Sequence, residues 1–169
     1  FSAREIHGLG VEYTGGQPML QAGMTVADNL ALGGKWSAGG LFTRRSLNAE
    51  IQAWLDAEGF DLDASRRVLE LPYSDHAVVE ILNRLRREPK LLIVDETLDR
   101  LSEKRQRELL AAFRRGTERR GMSVLWTGNE MENLLLRADR ISVMRENHII
   151  LTDRVSNLNQ LYIIRLCFD

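Results

Sequence analysis

The feature that most constrains this sequence is a short apolar run ending in two carboxylates, Leu91-Leu92-Ile93-Val94-Asp95-Glu96. Four consecutive apolar residues with branched side chains are too few for a buried helix, and they predict a fully buried strand of a parallel sheet. Ligands collect at the carboxyl ends of such strands. Asp95 could hold Mg²⁺ there, and Glu96 could orient or deprotonate an attacking water. The alternative is that the pair merely ends the strand and caps the next helix.

The residues after this run predict a βαβ unit. Ser102 is a candidate N-cap for a helix over residues 103–115, which Gly116 or Gly121 could end. Residues 123–127 form a second short apolar run, so we expect a strand that flanks the first one in the sheet. The apolar stripe of the helix consists of Leu109, Leu110 and Phe113.

The remaining elements follow from local periodicity and turn signals. Residues 138–144 lead into a strand, Glu146-Asn147 makes a turn, and residues 148–151 return. The other predicted elements are a strand at 9–13 and helices at 25–32 (capped by Thr25), 46–59, 77–87 and 156–166.

Composition excludes several classes of protein. The 169 residues are 44% hydrophobic, which suffices for one domain, and 23 basic against 24 acidic residues give no global attraction to nucleic acid. The single cysteine, Cys167, excludes an internal disulfide framework and fits a reducing compartment. No apolar run approaches the length of a membrane span. The chain begins at Phe1 rather than at methionine, which favours a processed or truncated product.

Three of these segments carry a family resemblance. Residues 91–96, Leu101-Ser102 and residues 138–145 together resemble the nucleotide-binding domain of an ABC transporter, in particular the ATPases of sugar and nucleoside importers. Residues 2–5 and 25–33 resemble the segments around that family's glutamine loop. The resemblance covers almost the whole chain in order. It implies an α/β fold with an ABC-ATPase-like (P-loop NTPase) core, a parallel sheet and a helical subdomain, incomplete at the N-terminus.

The resemblance also implies a division of the chain and a function. The helical subdomain and signature-like loop would span about residues 25–88, the Walker B lobe 89–155 and a C-terminal helix 156–169. The function would be that of an ATP-binding subunit that couples ATP hydrolysis to solute uptake, with ATP and Mg²⁺ as cofactors. The expected partners are membrane-spanning permease subunits and a second ABC ATPase domain, not nucleic acid. The expected location is cytoplasmic, peripheral at the inner face of the membrane.

The same resemblance assigns roles to five residues. Asp95 would bind the metal and the nucleotide, and Glu96 would be catalytic. Asn129 would stand at the switch position and would also be catalytic. Gln17 and Ser74 would contact the cofactor. The family has histidine at the switch position, and an asparagine there can hydrogen-bond a phosphate but cannot carry the proton.

Several positions depart from the family pattern. The family has a glutamine directly after the strand at 9–13, where this chain has Thr14; Gln17 takes that role only if the loop carries an insertion, and otherwise it is a surface residue. In the signature loop, Pro72 replaces serine and Ser74-Asp75 replaces glycine-glutamine. Asp75 would put negative charge where a phosphate is expected. Thr97 replaces a proline after the strand.

No phosphate-binding loop of the form Gly-x-x-x-x-Gly-Lys-Ser/Thr occurs in this sequence. The only Gly-Lys pair, Gly34-Lys35, lacks the rest of the pattern, and in the family the loop lies N-terminal to the segments matched here. Three interpretations remain: part of an importer ATPase, a degenerate domain that does not hydrolyse ATP and has a structural or regulatory role, or an unrelated α/β interaction module. Under the first two, we expect the isolated chain to be inactive.

Overall fold

The framework of the protein is a three-stranded parallel sheet. The computed structural model describes residues 3–32, 43–129 and 131–168. The strands are β1 (Val11–Gly15), β2 (Leu91–Asp95) and β3 (Ser123–Thr127), in the order β1-β2-β3. The prediction that the strand before Asp95 is central and pairs with the strand at 123–127 is therefore confirmed.

The described chain divides into two compact units, Phe1–Thr127 and Gly128–Asp169. The boundary falls inside residues 89–155, which the resemblance assigns to one lobe; the functional division of the chain stays a prediction. The helices of the first unit are α1 (Ala3–Gly8), α2 (Val26–Ala31), α3 (Arg44–Ala57), α4 (Tyr73–Leu85) and α5 (Glu103–Arg120).

Local capping interactions set the starts of three helices and the end of one. Thr25 and Asp28 form a capping box at the start of α2, and the Ser102 side chain accepts a hydrogen bond at the start of α5. Gly121, with φ of 65°, ends α5. The helix α3 begins two residues earlier than predicted because Thr43 forms a capping box with Ser46. The glycines predicted to end α2, at 33 and 34, lie outside the described residues.

The first turn of α4 differs from the prediction. Residues 71–76 were expected to form a loop, but α4 begins at Tyr73, four residues earlier than the predicted helix. Pro72 stands at the N-cap with φ of −52°, and a proline at a helix start already has a helical φ and leaves no N–H unsatisfied. Ser74 therefore lies on the exposed side of the first helical turn.

Only one face of the sheet is buried in the described part of the first unit. Leu92 and Val94 are fully buried, whereas Leu91 and Ile93 on the opposite face are half-buried. On that open face Tyr13 is 51% exposed and Leu125 is 52% exposed. The expectation of a fully buried strand is therefore wrong for one face. The apolar stripe predicted for α5 is confirmed, because Leu109 and Phe113 lie in the core and Leu110 packs against it.

A buried ion pair joins the first turn of α4 to α5. The Asp75 carboxylate accepts hydrogen bonds from Arg105 Nε at 2.9 Å and from Arg105 Nη2 at 3.0 Å. Arg105 Nη1 also contacts Glu108 at 2.7 Å. Asp75 is 8% exposed, so its charge is compensated inside the unit. This corrects the expectation that Asp75 presents an uncompensated carboxylate to a phosphate.

The second unit contains a β-hairpin and two helices. Its elements are α6 (Met131–Arg137), β4 (Arg140–Arg145), β5 (His148–Arg154) and α7 (Gln160–Phe168). Glu146 and Asn147 both have positive φ, 49° and 63°, as a two-residue hairpin turn of type I′ requires. The predicted turn and returning strand are confirmed.

The predicted C-terminal helix is present, but it starts later than predicted. It begins at Gln160 instead of residue 156, because residues 155–157 form a short 3-10 turn. Ile163 of this helix is buried, whereas Leu161 and Tyr162 are exposed. Within the described residues, no helix is both long and apolar enough to cross a membrane.

We predict that Asp75→Asn destabilises the chain by about 1–3 kcal/mol, because it removes the α4 carboxylate that bonds the buried Arg105 guanidinium and leaves Glu108 to compensate the charge of that guanidinium. The measurement is urea-induced unfolding. Glu103→Gln is the matched control, because Glu103 pairs with Arg107 on the exposed surface of α5 and its loss should cost less than about 1 kcal/mol. Equal destabilisation by the two substitutions would contradict the role assigned to the buried pair.

Candidate functional site

The candidate site is built around Asp95, at the carboxyl end of the central strand. The parallel register places Gly15 of β1 and Thr127 of β3 on either side of Asp95. The Thr127 hydroxyl donates a short hydrogen bond to Asp95 Oδ1. The Tyr13 hydroxyl donates to Asp95 Oδ2 at 3.0 Å. Both carboxylate oxygens thus accept hydrogen bonds from hydroxyls on neighbouring strands, and we refer to Tyr13, Asp95 and Thr127 as the Asp95 cluster.

Gly15 provides the space in which the Tyr13 hydroxyl reaches Asp95. A Cβ atom at position 15 would lie 2.5 Å from the Tyr13 hydroxyl oxygen and 2.8 Å from Asp95 Cβ. Such distances are far below van der Waals contact, so the geometry of the Asp95 cluster requires glycine here. Sequence reasoning missed Tyr13 and Thr127 as partners of Asp95. The signal available was their position near the ends of strands that meet at one edge of a parallel sheet.

Glu96 follows the strand and turns away from it. Its φ of 48° is in the left-handed region, which costs a non-glycine residue about 1–2 kcal/mol. Its N–H donates to the Thr127 carbonyl and hydroxyl oxygens, both at 3.2 Å, which holds this conformation. The Glu96 side chain is 60% exposed and lies 3.9 Å from the exposed Arg100. Thr97, at the position of the family's proline, donates its hydroxyl to the Asp95 carbonyl at 2.9 Å.

Three other predicted site residues, Gln17, Ser74 and Asn129, are exposed. Gln17 lies in the exposed bend two residues after Gly15, and Ser74 lies in the first turn of α4. Asn129 is exposed and belongs to the second unit. Thr14 is 1% exposed and shares the core-facing side of the sheet with Val94, so it lies on the face opposite to Asp95. The roles assigned to Gln17, Ser74, Asp95, Glu96 and Asn129 stay predictions.

A second group of charges lies beneath the sheet and joins β1 to α4. Glu12 is buried between Arg84, at 3.7 Å, and Arg87, at 3.5 Å. Glu80 lies 3.6 Å from Arg84, and burial raises the pKa of the Glu80 carboxyl. Because two carboxylates face two guanidiniums, this group is compensated internally and holds β1 against α4.

The residues at the end of β2 do not fit Mg²⁺ as they stand. Mg²⁺ demands octahedral oxygen coordination and is usually held by one or two carboxylates together with substrate phosphates and water. Both oxygens of Asp95 already accept hydroxyl hydrogen bonds, and Glu96 is exposed. Among residues 3–32, 43–129 and 131–168, no group of three or more His, Cys, Asp or Glu side chains is placed to hold a metal ion.

The chain is similar in sequence to ATP-binding proteins of sugar import. It is 31% identical to ribose import ATP-binding protein RbsA 3 of Rubrobacter xylanophilus over 168 residues, which is 96% of this chain and 34% of that protein. It is 28% identical to the xylose import ATP-binding protein XylG of Geobacillus kaustophilus, over 83% of this chain and 28% of that protein. The chain spans about a third of the length of the curated relatives it matches. No family model matches the chain.

Solved structures share its fold. The ATP-binding cassette MJ0796, in a dimeric post-hydrolysis state bound to ADP and Pi, superposes with a TM-score of 0.73 at 14% identity, over 92% of this chain and 68% of that one. The cbiO1 protein of Clostridium perfringens, part of the ABC transporter complex cbiONQ, gives 0.70 at 18% identity, over 92% and 62%. The predicted α/β fold with an ABC-ATPase-like core is confirmed, which argues against an unrelated α/β module.

We predict that the pKa of the Tyr13 hydroxyl lies above its usual value near 10, because the phenol donates to the Asp95 carboxylate and burial and the negative charge of Asp95 oppose its ionisation. The measurement is tyrosinate absorbance as a function of pH, with the titration of Tyr13→Phe subtracted from that of the original chain. In an Asp95→Asn background the Tyr13 pKa should fall toward 10. Asp61→Asn is the control, since Asp61 is an exposed carboxylate paired with Lys104; an equal fall there would contradict the assignment.

Proposed function

We propose the following function on the premise that the chain is a homologue of ribose and xylose import ATP-binding proteins and has the fold of an ABC ATPase domain. It is a component of the ATP-binding subunit of an ABC-type sugar importer. In that subunit, ATP hydrolysis would be coupled to uptake of the sugar.

The observation that carries this proposal is the position of Asp95. It ends the central strand of a parallel sheet, at the edge where ligands of such sheets bind. Glu96 follows it directly and has an exposed carboxylate. The similarity to a ribose import ATP-binding protein over 96% of the chain supports the same proposal.

We infer that the described chain contributes a framework and not a complete reaction centre. Phosphoryl transfer depends on positioning the phosphates and on stabilising their charge. The sequence contains no Gly-x-x-x-x-Gly-Lys-Ser/Thr loop, and the Asp95 carboxylate is engaged by Tyr13 and Thr127. The isolated chain should therefore not turn over ATP.

The proposal includes the partners of the chain and its location. The chain would act with membrane-spanning permease subunits and with a second ABC ATPase domain. It would lie at the inner face of the membrane as a peripheral component. The sugar class follows from the relatives' names, which specify ribose and xylose import.

A second candidate function is a non-hydrolysing structural or regulatory ABC-like domain. The Asp95 cluster favours it, because a carboxylate that is hydrogen-bonded on both oxygens by the chain's own hydroxyls is satisfied without a ligand. In this case the domain would pair with an active ATPase domain and would itself leave ATP intact.

We predict no phosphate release above background by the purified chain in the presence of ATP and Mg²⁺. The measurement is steady-state phosphate release by the original chain and by Glu96→Gln. Turnover by the original chain that disappears in Glu96→Gln would contradict the prediction and indicate a complete site.

The two candidate functions differ in the role of Glu96 within the assembled importer. Ribose uptake is measured in proteoliposomes that contain the protein as its gene encodes it, together with its permease. If this domain hydrolyses ATP there, Glu96→Gln should reduce uptake at least tenfold, while Glu103→Gln on the exposed face of α5 should leave uptake unchanged. Equal uptake by all three proteins supports the non-hydrolysing function. Absence of any ATP-dependent ribose or xylose uptake by the original assembly would overturn the importer proposal.

A further inference from the structure

The Asp95 cluster is distinctive because each oxygen of the Asp95 carboxylate accepts a hydrogen bond from a side chain of a neighbouring strand. An ionised carboxylate is an acceptor only, with two oxygens that a cation or a donor can approach. Here a different hydroxyl donates to each oxygen, one from β1 and one from β3. The cluster therefore links all three strands through a single side chain at the ligand-binding edge of the sheet.

The two donors differ in their surroundings. Thr127 is directly opposite Asp95 in the β2–β3 register, so its hydroxyl is held beside the carboxylate by backbone pairing. Tyr13 pairs with Ile93, two residues before Asp95, and its side chain is 51% exposed on the open face of the sheet. The Tyr13 hydroxyl therefore reaches Asp95 Oδ2 from the open face of the sheet.

The hydrogen bond from Tyr13 to Asp95 depends on the absence of a side chain at Gly15. The nearest atom to a Cβ built at position 15 is the Tyr13 hydroxyl oxygen, at 2.5 Å. Any larger residue here would force Tyr13 or Asp95 to move. Tyr13 and Gly15 therefore act as a pair, with one supplying the donor and the other the space.

We propose that Tyr13 is a positioning residue that holds the Asp95 carboxylate in a hydrogen-bonded state and opposes divalent-cation binding at Asp95 Oδ2. The proposal rests on the proposed function in that it concerns the same edge of the sheet. A cation that binds this oxygen competes with a hydrogen bond to a charged acceptor, the stronger class of hydrogen bond in proteins. Competition of that strength corresponds to about a tenfold loss of cation affinity.

The test is Mn²⁺ titration followed by electron paramagnetic resonance, which measures the free cation, with the chain alone and no nucleotide present. Four proteins are compared: the original chain, Tyr13→Phe, Asp95→Asn, and the double variant. Tyr13→Phe removes only the donor oxygen and keeps the ring. It should tighten Mn²⁺ binding at the Asp95 carboxylate by about tenfold, and this gain should be absent when Asp95 is replaced as well.

A further variant separates the hydroxyl from general effects. Tyr73→Phe is the matched control, because Tyr73 is an exposed tyrosine at the start of α4 and its replacement should leave Mn²⁺ binding unchanged. Circular dichroism and thermal unfolding establish that each variant is folded before titration.

The inference is overturned if Tyr13→Phe binds Mn²⁺ as the original chain does, or if its gain persists in the double variant. Either result leaves the importer proposal to the uptake measurement, because no nucleotide or transport step enters the Mn²⁺ titration. Conversely, loss of the importer proposal leaves the competition between Tyr13 and a cation at Asp95 directly measurable.

Discussion

The parallel pairing of β2 with both of its neighbours is the constraint on which the site depends. Because the register aligns Gly15, Asp95 and Thr127 across the three strands, their side-chain positions meet at one edge of the sheet. The strand-edge location makes Asp95 available to a ligand, and the same alignment brings two hydroxyls within hydrogen-bond distance of it. The same strand register therefore places Asp95 where a ligand could bind and supplies the two hydroxyls that occupy its carboxylate.

Buried charges hold the elements around this sheet in place. Asp75 and Arg105 join α4 to α5, while Glu12 and Glu80 face arginines between β1 and α4. Breaking such pairs is costly because an uncompensated charge would remain in a poorly solvated environment. Asp75 occupies a position that the family resemblance assigns to the signature loop, but its buried carboxylate pairs with Arg105 of α5 and has a structural role.

Four positions that depart from the pattern of the resembled family have structural roles in this fold. Pro72 and Asp75 are accounted for by the helix start and the buried ion pair, so they contribute to folding. Thr97 turns the chain after β2, and Thr14 faces the core. The polar groups at the ligand-binding edge are satisfied by the chain's own hydroxyls, which is the physical basis for proposing that a nucleotide-handling framework persists here without a complete reaction centre.

The sequence by itself determined the features that depend on neighbours along the chain. Caps at Thr25 and Ser102 and the turn at Glu146-Asn147 were predictable, because each involves residues within a few positions. The central strand was also predictable, since its apolar run and the following βαβ pattern are local. Only the tertiary structure decided that one face of the sheet is open, and that Tyr13 bonds Asp95 across 82 positions and Arg105 bonds Asp75 across 30. Hydrophobic period and capping preferences indicate the type and the limits of an element, but the burial of each sheet face and the partner of a polar side chain depend on register and packing between distant segments.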